Sequence, residues 1–273
     1  MDVKTILKEK GFRFNRQFGQ NFLLDEDVLD GIAEASGEKG TVVEVGAGAG
    51  TLTRALSARA KKVVAFEIDK NLKKVLDVTL KDRHNVTLIM GDVMKYPVSE
   101  IEKLCGGEYS VVANIPYYVT TPLIMNFLEQ GKQVKNLTLT VQKEVAERLC
   151  AKEASKQYGA ITVAVNAVAD TEIVRLLPKE AFYPSPEVDS AVIRITLRRD
   201  KYDVADKDTF RRTVKAAFAM RRKTLANNLC ALGFDKKQAE DVLSQAGLPA
   251  GCRGEQLSVE QFVNLSRIVG ENL

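Results

Sequence analysis

Asn114-Ile115-Pro116-Tyr117 is the stretch of this chain whose residue types and order could do chemistry on a flat heteroaromatic amine. Such an amine, the 6-amino group of adenine for instance, has its lone pair delocalised into the ring and is a poor nucleophile. Two acceptors, the Asn114 side-chain oxygen and the Ile115 carbonyl, can hold its two N–H bonds and favour a pyramidal nitrogen with an available lone pair. Pro116 fixes φ, so that carbonyl is held rather than sampled. Tyr117 offers a face on which a base drawn out of its stack can rest. Attack on a cationic electrophile needs no general base, because the surplus proton leaves after the transfer. Proximity and aligned dipoles then carry the catalysis. Read blandly, the four residues are a strand-ending turn, which accounts for the Asn and the Pro but not for the full order.

A second set can hold the carrier of the electrophile. Glu44-Val45-Gly46-Ala47-Gly48-Ala49-Gly50 lies between an expected strand and an expected helix. Glycines there allow a sharp turn and the close approach of a ligand. A dinucleotide site would want G-x-G-x-x-G, placing a pyrophosphate on a helix N-terminus. Here the spacing is G-x-G-x-G, with Thr51 where the last glycine of that motif would fall. Glu67 ends the next expected strand, where a carboxylate can accept from both ribose hydroxyls, and Asp92 follows the third, within reach of an adenine amino group. Either acid alone is an ordinary solvated strand end; at the ends of consecutive strands beside the loop they read as a nucleoside site. The tight glycine spacing after an acid resembles motif I of S-adenosylmethionine methyltransferases, whose ligand carries no phosphate. S-adenosylmethionine is therefore the expected cofactor.

The elements that must position these groups alternate. Near-continuous apolar runs at Thr41–Gly46, Lys62–Glu67, Val86–Met90, Tyr109–Ala113, Val134–Val141, Ile161–Val168 and Ala191–Leu197 are expected strands, covered on both faces. Helices are expected around Asp25–Ser36, Thr51–Ala60, Lys70–Leu80, Pro122–Gln130 and Gln142–Ala151. This is a βαβ pattern, hence an α/β domain with a mostly parallel sheet. After Arg198 the texture becomes charged and helical, with helices over Thr209–Leu232, Asp235–Ala246 and from Ser258, where Ser258-Val259-Glu260-Gln261 fits a capping box. The boundary falls near residue 200, giving a catalytic domain over 1–200 and a small all-α domain over 201–273.

Composition removes several alternatives. With one histidine among 273 residues, His84, a Ser-His-Asp hydrolase has little to work with. Four dispersed cysteines and no C-x-x-C pair leave no zinc site, and no metal is expected. The first residues lack the apolar core of a secretory signal, and no apolar run is long enough to span a bilayer, so a cytoplasmic protein without membrane attachment is expected. Net charge is only +4, but from Arg194 to Lys223 eleven Lys/Arg face four acids. A second basic stretch interleaves Lys4, Lys8, Lys10, Arg13 and Arg16 with Phe12, Phe14 and Phe18. Either could be a solvated helix face; two of them flanking a catalytic domain favour a polyanion, since phosphate neutralisation releases counterions. Before the last strand, Phe182-Tyr183-Pro184-Ser185-Pro186-Glu187-Val188-Asp189-Ser190 is a rigid aromatic-proline loop whose Phe182 could close the other face of the base.

Taken in order, Gly19-Gln20-Asn21-Phe22-Leu23, Glu44–Gly50, Glu67, Asp92, Asn114–Tyr117, Phe182–Ser190, Arg221-Arg222-Lys223-Thr224-Leu225 and Arg253-Gly254-Glu255-Gln256-Leu257 resemble the successive motifs of the bacterial KsgA-type (RsmA) small-subunit ribosomal RNA adenine dimethyltransferases. The resemblance implies a Rossmann-like S-adenosylmethionine methyltransferase sheet of seven strands with a helical RNA- or ribosome-binding tail. It implies dimethylation of the 6-amino groups of two adjacent adenines near the 3′ end of 16S rRNA, in the 30S subunit or its precursor, by a monomer. Cofactor contacts are implied for Gln20, Asn21, Leu23, Glu44, Gly46, Gly48, Glu67, Asp92, Val93 and Asn114. Asn114, Ile115, Pro116, Tyr117 and Phe182 would surround the target base, and Arg221, Arg222 and Lys223 would meet RNA. Ile115 stands where many members have Leu, a small departure if the backbone carbonyl does the work. A macrolide-resistance methyltransferase of 23S rRNA would share the catalytic core; the two tail motifs favour the small-subunit enzyme. A nicotinamide oxidoreductase lacks its last glycine here, and a non-catalytic ribosome-assembly factor would not need the complete Asn114–Tyr117 motif.

Overall fold

A computed structural model describes residues 2–15, 19–37 and 39–273. Its first elements are α1 (Val3–Glu9), β1 (Phe22–Leu23), α2 (Glu26–Ala35), β2 (Thr41–Val45), α3 (Thr51–Arg59), β3 (Lys62–Glu67), α4 (Lys73–Thr79) and β4 (Val86–Met90). There follow α5 (Val98–Cys105), β5 (Tyr109–Asn114), α6 (Tyr117–Gln130), β6 (Val134–Gln142), α7 (Lys143–Leu149), α8 (Ala160–Asn166), β7 (Ala169–Leu177), β8 (Phe182–Tyr183) and β9 (Ser190–Leu197). The last are α9 (Lys207–Ala217), α10 (Leu225–Leu229), α11 (Lys236–Gln245) and α12 (Val259–Asn272). Two compact units result: Met1–Ala146 with Glu172–Leu197, and Glu147–Thr171 with Arg198–Leu273.

The first unit is built on a seven-stranded sheet of order β4-β3-β2-β5-β6-β9-β7. From β4 through β6 the neighbours are parallel, and β9 runs antiparallel to β6. Val42, Val43, Val63, Val64, Val111 and Val112 are buried, as strands covered on both faces require. Register aligns the strand ends: Val45 sits opposite Phe66 and Ala113, and Glu67 opposite Met90. The Gly46 loop, Glu67, Gly91-Asp92 and Asn114 therefore emerge along one edge of the sheet. The chain order reverses there, with β3 on one side of β2 and β5 on the other, which is where open α/β sheets bind ligands.

A second, two-stranded ladder pairs Phe22 with Tyr183 and Leu23 with Phe182. Phe14 packs 5.4 Å from both the Phe22 and Tyr183 rings, and Phe12 lies 5.4 Å from Phe14. These aromatics of the basic N-terminal stretch are thus packed inward, and Lys4 Nζ rests 4.7 Å above the Tyr183 ring. Arg16 and Phe18 of that stretch lie outside the described residues.

The second unit has its own apolar cluster, with Phe210, Val214, Leu225, Leu229, Leu243, Phe262 and Leu265 among its buried members. Ser258 and Gln261 cap α12 reciprocally, at 3.2 and 2.9 Å. Two expectations are corrected here. Ile161–Val168 is not a strand: α8 occupies it, and the seventh strand is the following segment, Ala169–Leu177. Val163 and Ala167, one helical turn apart, enter the apolar cluster of this unit, and that burial outweighs the β-propensity of the valines. For the same reason the division at residue 200 misses an excursion, because Tyr158, Val163 and Ala167 bring 147–171 into the helical unit. No helix among the described residues is long and apolar enough to cross a membrane.

Candidate functional site

The cavity at the sheet edge is built by the four loops after β2, β3, β4 and β5, together with the N-terminal strap of Gly19–Leu23 and Phe182. Gly46 and Gly48 have φ of +80° and +57°, conformations that side chains with a Cβ resist. Their lack of a Cβ also makes room, since one at Gly46 would lie 2.9 Å from Ile115 Cγ2 and one at Gly48 3.1 Å from the Phe22 ring. The glycine loop therefore fits against both the Asn114–Tyr117 turn and the N-terminal strap.

Glu67 is buried, and its two oxygens accept the N–H groups of Gly48 at 2.7 Å and Asp69 at 2.8 Å. Each oxygen keeps a further acceptor position, so two hydroxyls can still be received. Burial raises its pKa, opposed by those backbone donors. Asp92 Oδ1 accepts the Met94 N–H at 3.0 Å, which fixes the carboxylate beside the cavity. Gln20 bridges Asn15 N–H, at 3.0 Å, to Asp69 at 2.8 Å, so its amide ties the strap to the end of β3.

Asn114 Nδ2 donates to the Asn21 carbonyl at 3.1 Å. A carbonyl can only accept, so this bond sets the orientation of the amide and leaves Oδ1 as its acceptor. Pro116, with φ −53°, caps α6. Val119 N–H goes to the Pro116 carbonyl at 3.0 Å rather than to Ile115, which leaves the Ile115 carbonyl outside the helical ladder. The Tyr117 hydroxyl pairs with Ser190 Oγ at 2.8 Å.

Gln20, Asn21, Leu23, Gly46, Gly48, Glu67, Asp92, Val93, Asn114, Ile115, Pro116, Tyr117 and Phe182 all line this cavity. Glu44 does not. It is wholly buried on β2, facing Thr53, whose hydroxyl is alongside without forming a hydrogen bond. Burial lifts its pKa to about 8, with the Glu67 charge adding to the rise, so at neutral pH it is a neutral acid beneath the loop. The cavity residues without a role assigned from the sequence include Ile68 and Met94, apolar yet exposed, and Tyr118, 68% exposed at the rim. Position alone could have flagged the first two, each just beyond a site acid.

In the second unit Arg221, Arg222 and Lys223 are exposed in the turn after α9. Arg221 is engaged by the Glu255 carboxylate and reaches the Ser155 carbonyl at 3.4 Å. Leu225 N–H donates to the Cys252 carbonyl at 2.7 Å, and a Cβ at Gly254 would lie 2.7 Å from the Ala217 carbonyl. The two tail motifs therefore brace each other. Among the described residues no group of His, Cys, Asp and Glu could hold a metal ion.

The sheet order, the glycine loop and the acids at successive strand ends define the Rossmann-like methyltransferase scaffold. The chain belongs to the ribosomal RNA adenine dimethylase family, whose model matches residues 11–270. It is 44% identical to ribosomal RNA small subunit methyltransferase A of Clostridioides difficile, over 98% of this chain and 94% of that protein. Identity to the protein of that name from Bacillus licheniformis is 45%, over 97% and 94%. Among solved structures, a dimethyladenosine transferase from Plasmodium falciparum superposes with a TM-score of 0.79 at 26% identity, covering 92% of this chain and 98% of that one. The 23S rRNA methyltransferase ErmE gives 0.71 at 26% identity, covering 92% and 100%.

Proposed function

We propose that this chain dimethylates the 6-amino groups of two adjacent adenines near the 3′ end of 16S rRNA, on the 30S subunit or its precursor, acting as a cytoplasmic monomer. The observation that carries the reading is the set orientation of the Asn114 amide, in a residue that lines the same cavity as Ile115, Glu67 and Asp92. Bound S-adenosylmethionine supplies an electrophilic methyl group on a cationic sulfonium. The residues present suit it: Glu67 can receive the ribose hydroxyls, Asp92 the adenine amine, and exposed Ile68 and Met94 give apolar surface for the adenine ring. Asn114 Oδ1 and the Ile115 carbonyl hold the N–H bonds of the target amine, while Tyr117 and Phe182 flank the base. No side chain is asked to remove a proton before transfer. Tyr118, at the rim, offers a stacking surface to the nucleobase next to the extruded one. In the tail, Arg222 and Lys223 contribute phosphate contacts, with Arg221 held by Glu255.

The likeness to ErmE makes 23S rRNA the rival substrate, while the nearly full-length relatives named for the small subunit support 16S. Incubating methyl-free 30S and 50S subunits in parallel with labelled cofactor decides between them; label confined to 23S rRNA defeats the proposal. Asn114→Ala is expected to lower turnover at least about a hundredfold with S-adenosylhomocysteine binding within a few fold. Full turnover by that variant removes the proposed chemistry.

A further inference from the structure

We propose that Ser190 is a positioning residue for methyl transfer, holding the Tyr117 hydroxyl so that the ring is kept in the one orientation on which the target base stacks. The inference rests on the base-stacking reading of Tyr117 given above. Its foundation is the 2.8 Å contact between the Tyr117 hydroxyl and Ser190 Oγ. Ser190 is 0% exposed and opens β9, in register with Gln142 at the end of β6, so its hydroxyl is anchored to the sheet. The preceding residue is locked too: the Asp189 carbonyl accepts Lys143 N–H at 3.0 Å, and Asp189 Oδ1 accepts Lys179 N–H at 3.1 Å.

Tyr117, by contrast, is the first residue of α6 and only half-buried. Held by its backbone alone, its ring could swing about χ1 into the cavity or out of it. A second hold at the far end of the ring removes that freedom. If the ring served only as apolar surface, phenylalanine would suffice and a buried serine hydroxyl would be a cost. The pairing of the two hydroxyls answers both points. It also gives the aromatic-proline loop two tasks, since Phe182 at its start lines the cavity and Ser190 at its end holds the opposing ring.

The test is steady-state methylation of undermethylated 30S subunits by the full-length wild type, Ser190→Ala, Ser190→Thr, Tyr117→Phe, Tyr117→Ala and the Ser190→Ala/Tyr117→Phe double variant, with S-adenosylhomocysteine affinity measured for each. Ser190→Ala and Tyr117→Phe should each lower kcat about threefold to tenfold with unchanged cofactor affinity. The double variant should be no slower than either single, because both delete one shared bond, and Ser190→Thr should restore turnover. Wild-type kcat in Ser190→Ala, multiplying losses in the double variant, or cofactor affinity falling in step with kcat overturns the proposal. Should Ser190→Ala not fold, Tyr117→Phe decides, and wild-type turnover from it is refutation. Wild-type turnover by Tyr117→Ala removes the base-stacking role itself, and the proposal with it; loss in Tyr117→Ala without loss in Tyr117→Phe sinks only the part assigned to Ser190.

Discussion

Replacing Glu44 by Gln should remove a large pH dependence of folding stability. In the unfolded chain the carboxyl titrates near 4.5, whereas in the fold burial lifts it to about 8, with Glu67 pushing the same way. The folded state thus binds this proton more tightly. Below about pH 4.5 both states hold it and the stabilisation is fully present. Between about 4.5 and 8 the unfolded chain releases it while the folded chain does not, so stability falls as pH rises. Above about 8 the loss is complete. A shift of about 3.5 pH units corresponds to roughly 5 kcal/mol over the whole span, of which about 3–4 kcal/mol falls between pH 5 and 8. Urea unfolding of wild type and Glu44→Gln from pH 5 to 9 measures it. The stability difference between the two should move by that amount in favour of Gln as pH rises, at constant m. Since Glu44 lies beneath the loop and not in the cavity wall, cofactor affinity should change little. Parallel stability curves would show that the folded protein does not hold this proton and would refute the reasoning.

Gly46→Ala meets both a φ of +80° and a 2.9 Å approach to Ile115; it should cost about 1–3 kcal/mol in thermal unfolding and depress turnover by displacing the Ile115 carbonyl. Tyr118→Ala should raise KM for 30S subunits roughly tenfold while kcat stays near wild type, and Tyr118→Trp should not. Arg222→Ala and Lys223→Ala should each reduce the log–log salt dependence of subunit binding by about one without changing kcat, as filter binding across salt concentrations will report.

The sheet edge was legible because its residues carry strong constraints: continuous valine runs, glycines at a ligand turn, acids at strand ends. Element boundaries follow from locally written caps at Asp25 and Ser258, whereas α1 behind Asp2 has no expected counterpart and α9, capped by Asp206, begins two residues before the expected Thr209. What stayed hidden was decided by partners remote in sequence. Ile161–Val168 has the composition of a strand, and only the helical cluster it joins makes it α8. Ala169–Leu177 carries no continuous apolar run, because it lies at the sheet edge with most side chains exposed. Glu44 reads as a ligand contact from its place before the glycines, yet strand alternation turns it under them. Ser190 carried no signal of its own, since a serine beginning a strand is unremarkable until the tyrosine 73 residues earlier is seen against it.

The β1–β8 ladder has a consequence for biosynthesis. Leu23 cannot find Phe182 until some 159 further residues have been made, which at cellular elongation rates takes on the order of ten seconds. Through that interval the nascent N-terminus lacks its pairing partner, and Asn21, whose carbonyl orients Asn114, is not yet fixed. A chain stopped short of residue 182 would hold the parallel strands without a finished cavity. Ribosome-bound fragments should accordingly be silent towards RNA, with competence arriving late and as a single step.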